Sequence, residues 1–329
     1  MNKLQKKLFL TLLTLSMVFL LFGCGDGDKD SQSGQSAVST NSEALVSTEN
    51  VDGLDSASVS YPLTVTGSDG DTVTILAKPQ KVVSVAPNLT ELMYELGAGD
   101  LLVARSDYCD YPPEVSEVES VGTIFAPDME KIISLEPDLV LASTHFDGEA
   151  AGKLQELSLP ALTLFEETSM EGVYGMIETL GQALDREKQA ADCVKDMKAL
   201  IADVEEKVKD LEAPTVYYAV DFGENGDFTA GGDTFAGNMI EMAGGDNIAK
   251  DVSGWSITLE QIIEKDPSII FIGEAMKGDF INHPNYSGLT AVKEGRVYGI
   301  DNNLLDRQGY RNAEGIRMLA EIFHPEAFE

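Results

Sequence analysis

The sequence predicts an α/β protein of two similar lobes joined by one long rigid helix. Three observations support this fold class: a repeated phrase, an alternation of strand and helix patterns, and a long helical repeat between the two lobes. Residues 128–142 (DMEKIISLEPDLVLA) match residues 258–272 (TLEQIIEKDPSIIFI), sharing a glutamate, an isoleucine pair and a proline. Each copy predicts a helix whose isoleucines face a core, followed by an apolar strand after the proline. Duplicated lobes are the simplest explanation, and chance repetition of a common α/β phrase is the alternative.

A second pair of segments supports the duplication. Residues 88–100 (NLTELMYELGAGD) and 237–247 (GNMIEMAGGDN) are both helix-like and both close on glycines. Glycine after a helix is typical of a left-handed C-terminal cap.

The N-terminus predicts export. Three lysines precede an apolar stretch that ends at Cys24, as in a secretory signal peptide of residues 1–23. The sequence Leu-Phe-Gly-Cys at residues 21–24 resembles the lipobox of bacterial lipoproteins, which implies a lipid on Cys24. A plain signal peptide with an incidental cysteine is the alternative. Residues 24–60 are polar and poor in large apolar groups, so we expect a disordered tether.

The chain is strongly acidic. Its net charge is −33 at pH 7, and removal of residues 1–23, which hold three lysines and no acidic residue, makes it −36. Such a surface repels nucleic acid, and this excludes nucleic acid as a partner. Beyond Cys24 only Cys109 and Cys193 remain, at a spacing that matches no metal or redox motif. Two unpaired thiols are therefore expected rather than a disulfide.

The first lobe is predicted over residues 61–168. Residues 61–77 alternate apolar and polar around Ser-Asp-Gly-Asp, which is typical of a β-hairpin. Strand and helix patterns then alternate from residue 81 to residue 165. This alternation predicts a mainly parallel sheet and a Rossmann-like lobe.

The connection between the lobes is predicted over residues 169–212. Apolar residues recur there at helical spacing behind a capping-box sequence, which predicts one continuous helix. Two shorter helices with a break near Gly181 or Asp185 are the alternative. The second α/β lobe then covers residues 213–329, with a ligand cleft between the lobes.

Several motifs together resemble a known family. They are the lipobox, the hairpin, residues 83–91 (VSVAPNLTE), residues 106–113 (SDYCDYPP), the two glutamate phrases and the spanning helix. The combination resembles the substrate-binding lipoproteins of ABC importers, in the helical-backbone (class III) group that takes cobalamin, iron-siderophores or haem. It covers about residues 61–325, and the stretch at 106–113 is most similar to that of vitamin B12-binding proteins.

The resemblance implies partners as well as a fold. It implies two lobes that move little on binding, and salt bridges from Glu130 and Glu260 to arginines of the membrane permease. Duplicated acids on duplicated helices suit a roughly two-fold partner, because complementary charge sets orientation and encounter rate. An isolated acid at a helix start is otherwise explained by the helix dipole. We therefore expect an extracytoplasmic, lipid-anchored monomer that serves an ABC permease dimer and its ATPase.

Ligand contacts are expected in loops at the carboxyl ends of strands, and these loops are rich in aromatic residues. Tyr108, Phe228 and Trp255 match family positions that contact the corrin, whereas Ile124 stands where cobalamin binders have tryptophan. Core packing is the alternative role for many of these rings. The candidate ligand-binding residues are Tyr108, Tyr111, Phe125, His145, Phe146, Phe228, Trp255, Arg307, Tyr310 and Arg311.

The charge and apolar character of the candidate ligands allow them to be ranked against the residues that the chain offers. A large, flat, nearly neutral chelate needs apolar walls, whereas an anionic catecholate siderophore complex needs clustered Arg or Lys. Of the six arginines only Arg105, Arg307 and Arg311 are in plausible cleft loops, and the chain is short of basic residues overall. A corrinoid of the cobalamin type therefore ranks above a ferric siderophore. Haem ranks third because His145 or His283 could supply an axial ligand. Three histidines without a cluster argue against a bare metal site, and no cofactor is expected.

Two other classes of function compete with transport. An enzyme is disfavoured because the chain has none of the common catalytic motifs. The Gly-Gly-Asp sequences at 231–233 and 244–246 lack the context of a phosphate-binding loop, so turn or cap roles are expected. A surface adhesion or scaffold lipoprotein is the second rival, but it would need neither the paired glutamates nor an aromatic cleft.

Overall fold

The computed structural model describes residues 60–144, 146, 148–165 and 168–329. The predicted signal peptide, Cys24 and almost all of the predicted tether lie outside these residues, as does His145. The strands are β1 Leu63–Thr66, β2 Thr72–Ile75, β3 Val82–Ser84, β4 Leu102–Arg105, β5 Leu139–Ala142, β6 Ala161–Thr163, β7 Thr215–Ala219, β8 Asp227–Phe228, β9 Asp246–Asn247, β10 Ser256–Ile257, β11 Ile269–Gly273 and β12 Val297–Ile300. The helices are α1 Pro87–Glu95, α2 Met129–Ser134, α3 Gly148–Glu156, α4 Met170–Leu184, α5 Glu187–Val208, α6 Phe235–Met242, α7 Leu259–Lys265, α8 Glu274–Asn282, α9 Thr290–Lys293, α10 Asn303–Asp306 and α11 Asn312–Phe323.

The two lobes have the same sheet topology. The first holds a parallel sheet in the order β4-β3-β5-β6, and the second holds a parallel sheet in the order β9-β7-β11-β12. Numbered within each lobe, both orders are 2-1-3-4. The predicted α/β class with two similar lobes is confirmed, and shared strand order is better evidence of duplication than the repeated phrase.

Both sheets are buried on both faces, as parallel sheets require. Val82 and Leu141 of the first sheet face a large core that also receives Val216 and Phe271 of the second. The opposite faces pack into separate small cores, one in each lobe. Because the large core continues through α4, α5 and α11, apolar packing joins the lobes and favours a fixed relative orientation.

The repeated phrase forms corresponding elements. Helix α2 precedes β5, helix α7 precedes β11, and these are the third strands of their lobes. In each, the residue before the proline leaves the right-handed region, with φ of 51° at Glu136 and 41° at Asp266. The expectation that both isoleucines of each pair face a core is wrong. Ile132 and Ile262 are fully buried, but Ile133 is half-buried and Ile263 is exposed.

The helix-closing glycines adopt the predicted conformation. Gly97 after α1 has φ of 66°, and Gly244 after α6 has φ of 81°. Their N–H groups donate to carbonyl groups in the last turns of those helices. A β-branched or bulky residue at either position would be strained, because left-handed backbone suits glycine.

The predicted single helix over 169–212 is wrong, and the alternative with a break is right. Asp185 adopts left-handed geometry with φ of 57°, which ends α4 and lets the chain reverse into α5. The two helices run antiparallel, since Lys198 forms an ion pair with Glu171 at 3.5 Å. The 22-residue helix α5, about 33 Å long, is therefore the connection, and it packs against α6 and α11 of the second lobe.

Gly181 explains how close the two helices come. A Cβ built there would lie 2.5 Å from the Cβ of Ala190, so only glycine fits this crossing. In the described part of the chain, Cys109 and Cys193 are both buried free thiols, as expected. No helix within the described ranges has the length and apolar character that a membrane span requires.

Candidate ligand cleft and docking helices

A cavity of about 200 Å³ lies between the lobes at the carboxyl ends of their strands. The loops after β3 and β5 form one side, and the segment that ends α10 forms the other. This is the edge where ligands bind in parallel α/β sheets. Its described lining residues are Val85, Ala86, Pro87, Asn88, Ile124, Ser143, Thr144, Phe146, Asp306, Arg307 and Gln308.

The cavity includes three positions that the sequence analysis singled out. They are Phe146 and Arg307, both candidate ligand-binding residues, and Ile124. The cavity volume is below the range of roughly 300–1,000 Å³ that ligand pockets enclose.

Four of the candidate ligand-binding aromatic residues have exposed rings. The exposed fraction is 46% for Tyr108, 38% for Tyr111, 59% for Phe125 and 46% for Trp255. The rings of Tyr108 and Phe125 meet edge to face, with centroids 6.3 Å apart. Large aromatic side chains left this open are typical of a binding surface rather than a core, so the alternative that they are core residues is wrong for these four.

Trp255 lies beside the strand pair formed by β8 and β10. Phe228 of β8 pairs with Ser256 of β10, and the N–H of Thr229 donates to the carbonyl of Trp255 at 2.9 Å. This pairing holds the tryptophan and Phe228 on one small sheet of the second lobe. The structure thus brings together Tyr108 with Phe125 in the first lobe, and Phe228 with Trp255 in the second.

A buried carboxylate that the sequence analysis did not select lies at the lobe interface. Glu91 in α1 has a 5% exposed side chain and binds two arginines of the second lobe. Arg311 donates from Nε and Nη2 to both carboxylate oxygens, at 2.8 and 2.7 Å. Arg307 donates from Nη1 to Glu91 Oε1 at 2.8 Å.

Further contacts hold both arginines. Arg307 also donates to Asp110 Oδ1 at 2.6 Å and to the carbonyl of Tyr108 at 3.2 Å. The guanidinium of Arg311 lies 4.1 Å from the ring centroid of Tyr111 and 3.6 Å from Asp301. Burial alone would lower the pKa values of both arginines, but hydrogen bonds raise them: to Asp110 and Glu91 for Arg307, and to Glu91 for Arg311. Both guanidinium groups therefore stay charged and already have partners.

The neighbouring acidic and phenolic groups are desolvated. Burial raises the pKa of Asp306, although Asn302 donates to this carboxylate at 2.6 Å. Burial, together with the hydrogen bond to Tyr111, raises the pKa of Tyr310. Arg105, a third basic residue near the cleft, donates from Nε to the carbonyl of Val115 at 2.9 Å and holds a loop in place.

The Gly-Gly-Asp sequences have structural roles. A Cβ on Gly232 would lie 2.0 Å from the carbonyl oxygen of Lys250, so this loop is packed against its neighbour. Within the described ranges, no group of three or more histidine, cysteine, aspartate or glutamate side chains could hold a metal ion.

Glu130 and Glu260 occupy equivalent places in the two lobes. Each is exposed and lies in the first turn of its helix, α2 or α7. Asp128 caps α2 by accepting from the N–H of Lys131 at 3.0 Å, and a capping box with Thr258 begins α7. Other side chains cap these helices, and both glutamates are exposed to solvent.

Two lobes of equal topology with a cleft at their strand ends are the architecture of a two-lobed ligand-binding protein. The sequence model of the periplasmic binding protein family matches residues 82–304, so the chain belongs to that family. The homologues of this chain are substrate-binding components of ABC importers and not enzymes, as the sequence analysis predicted.

Two curated relatives and one solved structure illustrate the similarity. The uncharacterised ABC transporter substrate-binding lipoprotein YvrC of Bacillus subtilis is 36% identical over 277 residues, which covers 82% of this chain and 88% of that protein. A cobalamin-binding protein of Halobacterium salinarum is 29% identical over 280 residues, covering 80% of this chain and 75% of the relative. A possible iron-binding periplasmic protein of Staphylococcus epidermidis has a TM-score of 0.67 at 28% identity, covering 75% of this chain and 100% of its own.

Proposed function

We propose that this importer component captures a corrinoid of the cobalamin type and delivers it to an ABC permease. The exposed aromatic rings of Tyr108, Tyr111 and Phe125 in the first lobe and Trp255 in the second are the observation on which the proposal depends. Flat, largely apolar faces of a metal macrocycle suit such rings, and the similarity to a cobalamin-binding protein agrees with this choice. Ferric siderophores and haem are the competing ligands.

Thermal unfolding in the presence of each chelate tests which ligand the protein binds. A ligand that binds only the folded protein at 100 times its Kd stabilises it by about 2.7 kcal/mol. Cyanocobalamin should therefore raise the Tm of the mature protein, and the size of the shift should increase with ligand concentration. An adhesion or scaffold protein would show no shift with any chelate, and a shift with haemin alone would replace the corrinoid by haem.

Docking on the permease is assigned to Glu130 and Glu260. Their equivalent positions and exposure support two similar anionic contacts for a roughly two-fold partner. The double variant Glu130→Ala with Glu260→Ala should bind ligand normally but abolish uptake in cells.

A matched control distinguishes the effect of losing these two positions from the effect of losing two negative charges anywhere on the surface. Asp203 and Glu206 are exposed acids on α5, and replacing both by alanine changes the net charge by the same amount. This control should transport normally. Full uptake by the Glu130/Glu260 variant, or equal loss in the control, would remove the docking assignment.

The membrane anchor is assigned to a lipid on Cys24. The lipobox-like sequence supports it, as does similarity to a lipoprotein of Bacillus subtilis. A multi-chain lipid holds a protein stably on a membrane surface. Cys24→Ser should move the protein from the membrane fraction to the soluble fraction of cells, and unchanged fractionation would contradict the anchor.

A further inference from the structure

The basic side chains at the cleft are already neutralised. Arg307 is the single cation among the described residues that line the cavity, and its Nη1 contacts both Glu91 and Asp110. Arg311 directs two donors to Glu91 and lies against Asp301. Two guanidinium cations therefore face three carboxylates, which leaves this cluster one negative charge in excess before Asp306 is counted.

The geometry restricts what the arginines can bind. Guanidinium groups are the usual partners of carboxylate and phosphate groups on ligands, because their donors form a planar fork. Here the fork of Arg311 is filled by Glu91, and the side chains of Arg311 and Glu91 are 7% and 5% exposed. A ligand carboxylate would have to displace a buried carboxylate from an almost ideal arrangement.

We propose that Glu91 is a specificity-determining residue, which neutralises Arg307 and Arg311 so that the cleft admits neutral or cationic metal chelates and rejects polyanionic ones. The inference rests on the proposed function, since it concerns the ligand of that same cleft. In this proposal Glu91 discriminates between neutral and anionic chelates without touching the ligand itself. Without Glu91, the same loop would present two adjacent arginines, which is an anion site.

Glu91→Gln tests this by removing one negative charge with little change of shape. Three probes differ in charge: cyanocobalamin is neutral, haemin carries two carboxylates, and a ferric tris-catecholate complex is a trianion. A hydrogen bond to a charged group contributes about 1.5–3 kcal/mol, or roughly 10- to 100-fold in affinity. The ratio of the haemin Kd to the cyanocobalamin Kd should therefore fall by about 10- to 100-fold in the variant, as measured by absorbance titration.

The dependence on salt and a second variant distinguish a change in ligand specificity from a structural effect of Glu91→Gln. The gained affinity for anions should weaken as ionic strength rises, whereas cyanocobalamin affinity should not. Asp110→Asn is milder because the Asp110 side chain is 65% exposed, and it releases one contact of Arg307. It should shift the ratio in the same direction by a smaller factor, even if Glu91→Gln fails to fold. Asp203→Asn, an equal charge change on α5, should leave the ratio unchanged.

The outcomes distinguish this inference from the proposed function. An unchanged ratio in Asp110→Asn and in any folded Glu91→Gln overturns the role of Glu91 while leaving the importer function in place. A wild-type protein that prefers haemin or the ferric complex overturns both the role of Glu91 and the choice of a corrinoid as ligand, while the importer function remains. A wild-type protein that binds none of the three probes contradicts the proposed ligand class, and the inference with it.

Discussion

Replacing Glu91 with alanine should destabilise the whole two-lobed unit, because it leaves Arg307 and Arg311 buried without their shared partner. Loss of one member of a buried ion pair costs about 3–5 kcal/mol. For a folded unit of this size, each kcal/mol lowers the Tm by about 2–4 °C, so we expect a decrease of about 6–20 °C. The side chains involved are 5–15% exposed, so water screens little of this effect.

Differential scanning calorimetry of the variant measures this decrease. Asp203→Ala is the control, since it breaks an exposed ion pair with Lys207 that contributes at most about 1 kcal/mol. Adding Arg311→Met to Glu91→Ala should restore part of the loss, because it removes one of the unpaired charges. A Tm decrease no larger than that of the control would refute the view that this cluster joins the lobes.

Three further predictions concern other parts of the molecule. Trp255 is the single tryptophan of the chain, and its exposed ring is one of the proposed ligand contacts, so a bound corrinoid should quench the intrinsic fluorescence. Unchanged emission at saturation would contradict the proposed contact of Trp255 with the ligand. Gly237→Ala should lower the Tm, because its Cβ would lie 2.1 Å from the carbonyl oxygen of Gly231. In the control Gly175→Ala the new Cβ would meet nothing within 4 Å, so this variant should be neutral or stabilising. Equal effects of the two substitutions on the Tm would contradict the packing of α6. Burial raises the pKa of Asp227, so this group contributes less stability as pH rises from its unfolded pKa of about 4 through its higher folded pKa. The stability of Asp227→Asn relative to wild type should therefore increase as pH rises above about 4 in urea unfolding, and a decrease would contradict the assignment.

Local sequence patterns predicted much of the fold. The phrase around Glu130 and Glu260 predicted two similar units because helix, proline and apolar strand are local features, and the strand order 2-1-3-4 in both lobes agrees with it. The same local signals failed at residues 169–212. Helical periodicity continues across Asp185, so the pattern does not reveal that this residue turns into the left-handed region and reverses the chain.

The cleft was predicted only in part, for a physical reason. Tyr108, Phe125 and Trp255 were selected because they lie in loops at strand ends, and their exposure agrees with a surface role rather than core packing. Glu91 was missed because an acid in an amphipathic helix normally lies in water. Its partners Arg307 and Arg311 follow 216 and 220 residues later, and no local pattern records a contact at such a separation.

Co-elution of a chromophore tests the central claim most directly. The mature protein is incubated with a panel of a corrinoid, haemin and a ferric siderophore, passed through a desalting column, and examined by absorbance. The account predicts that the corrinoid spectrum elutes with the protein at one ligand per chain and that the anionic chelates do not. Protein that elutes colourless from every mixture would contradict the claim that its cleft holds a metal chelate.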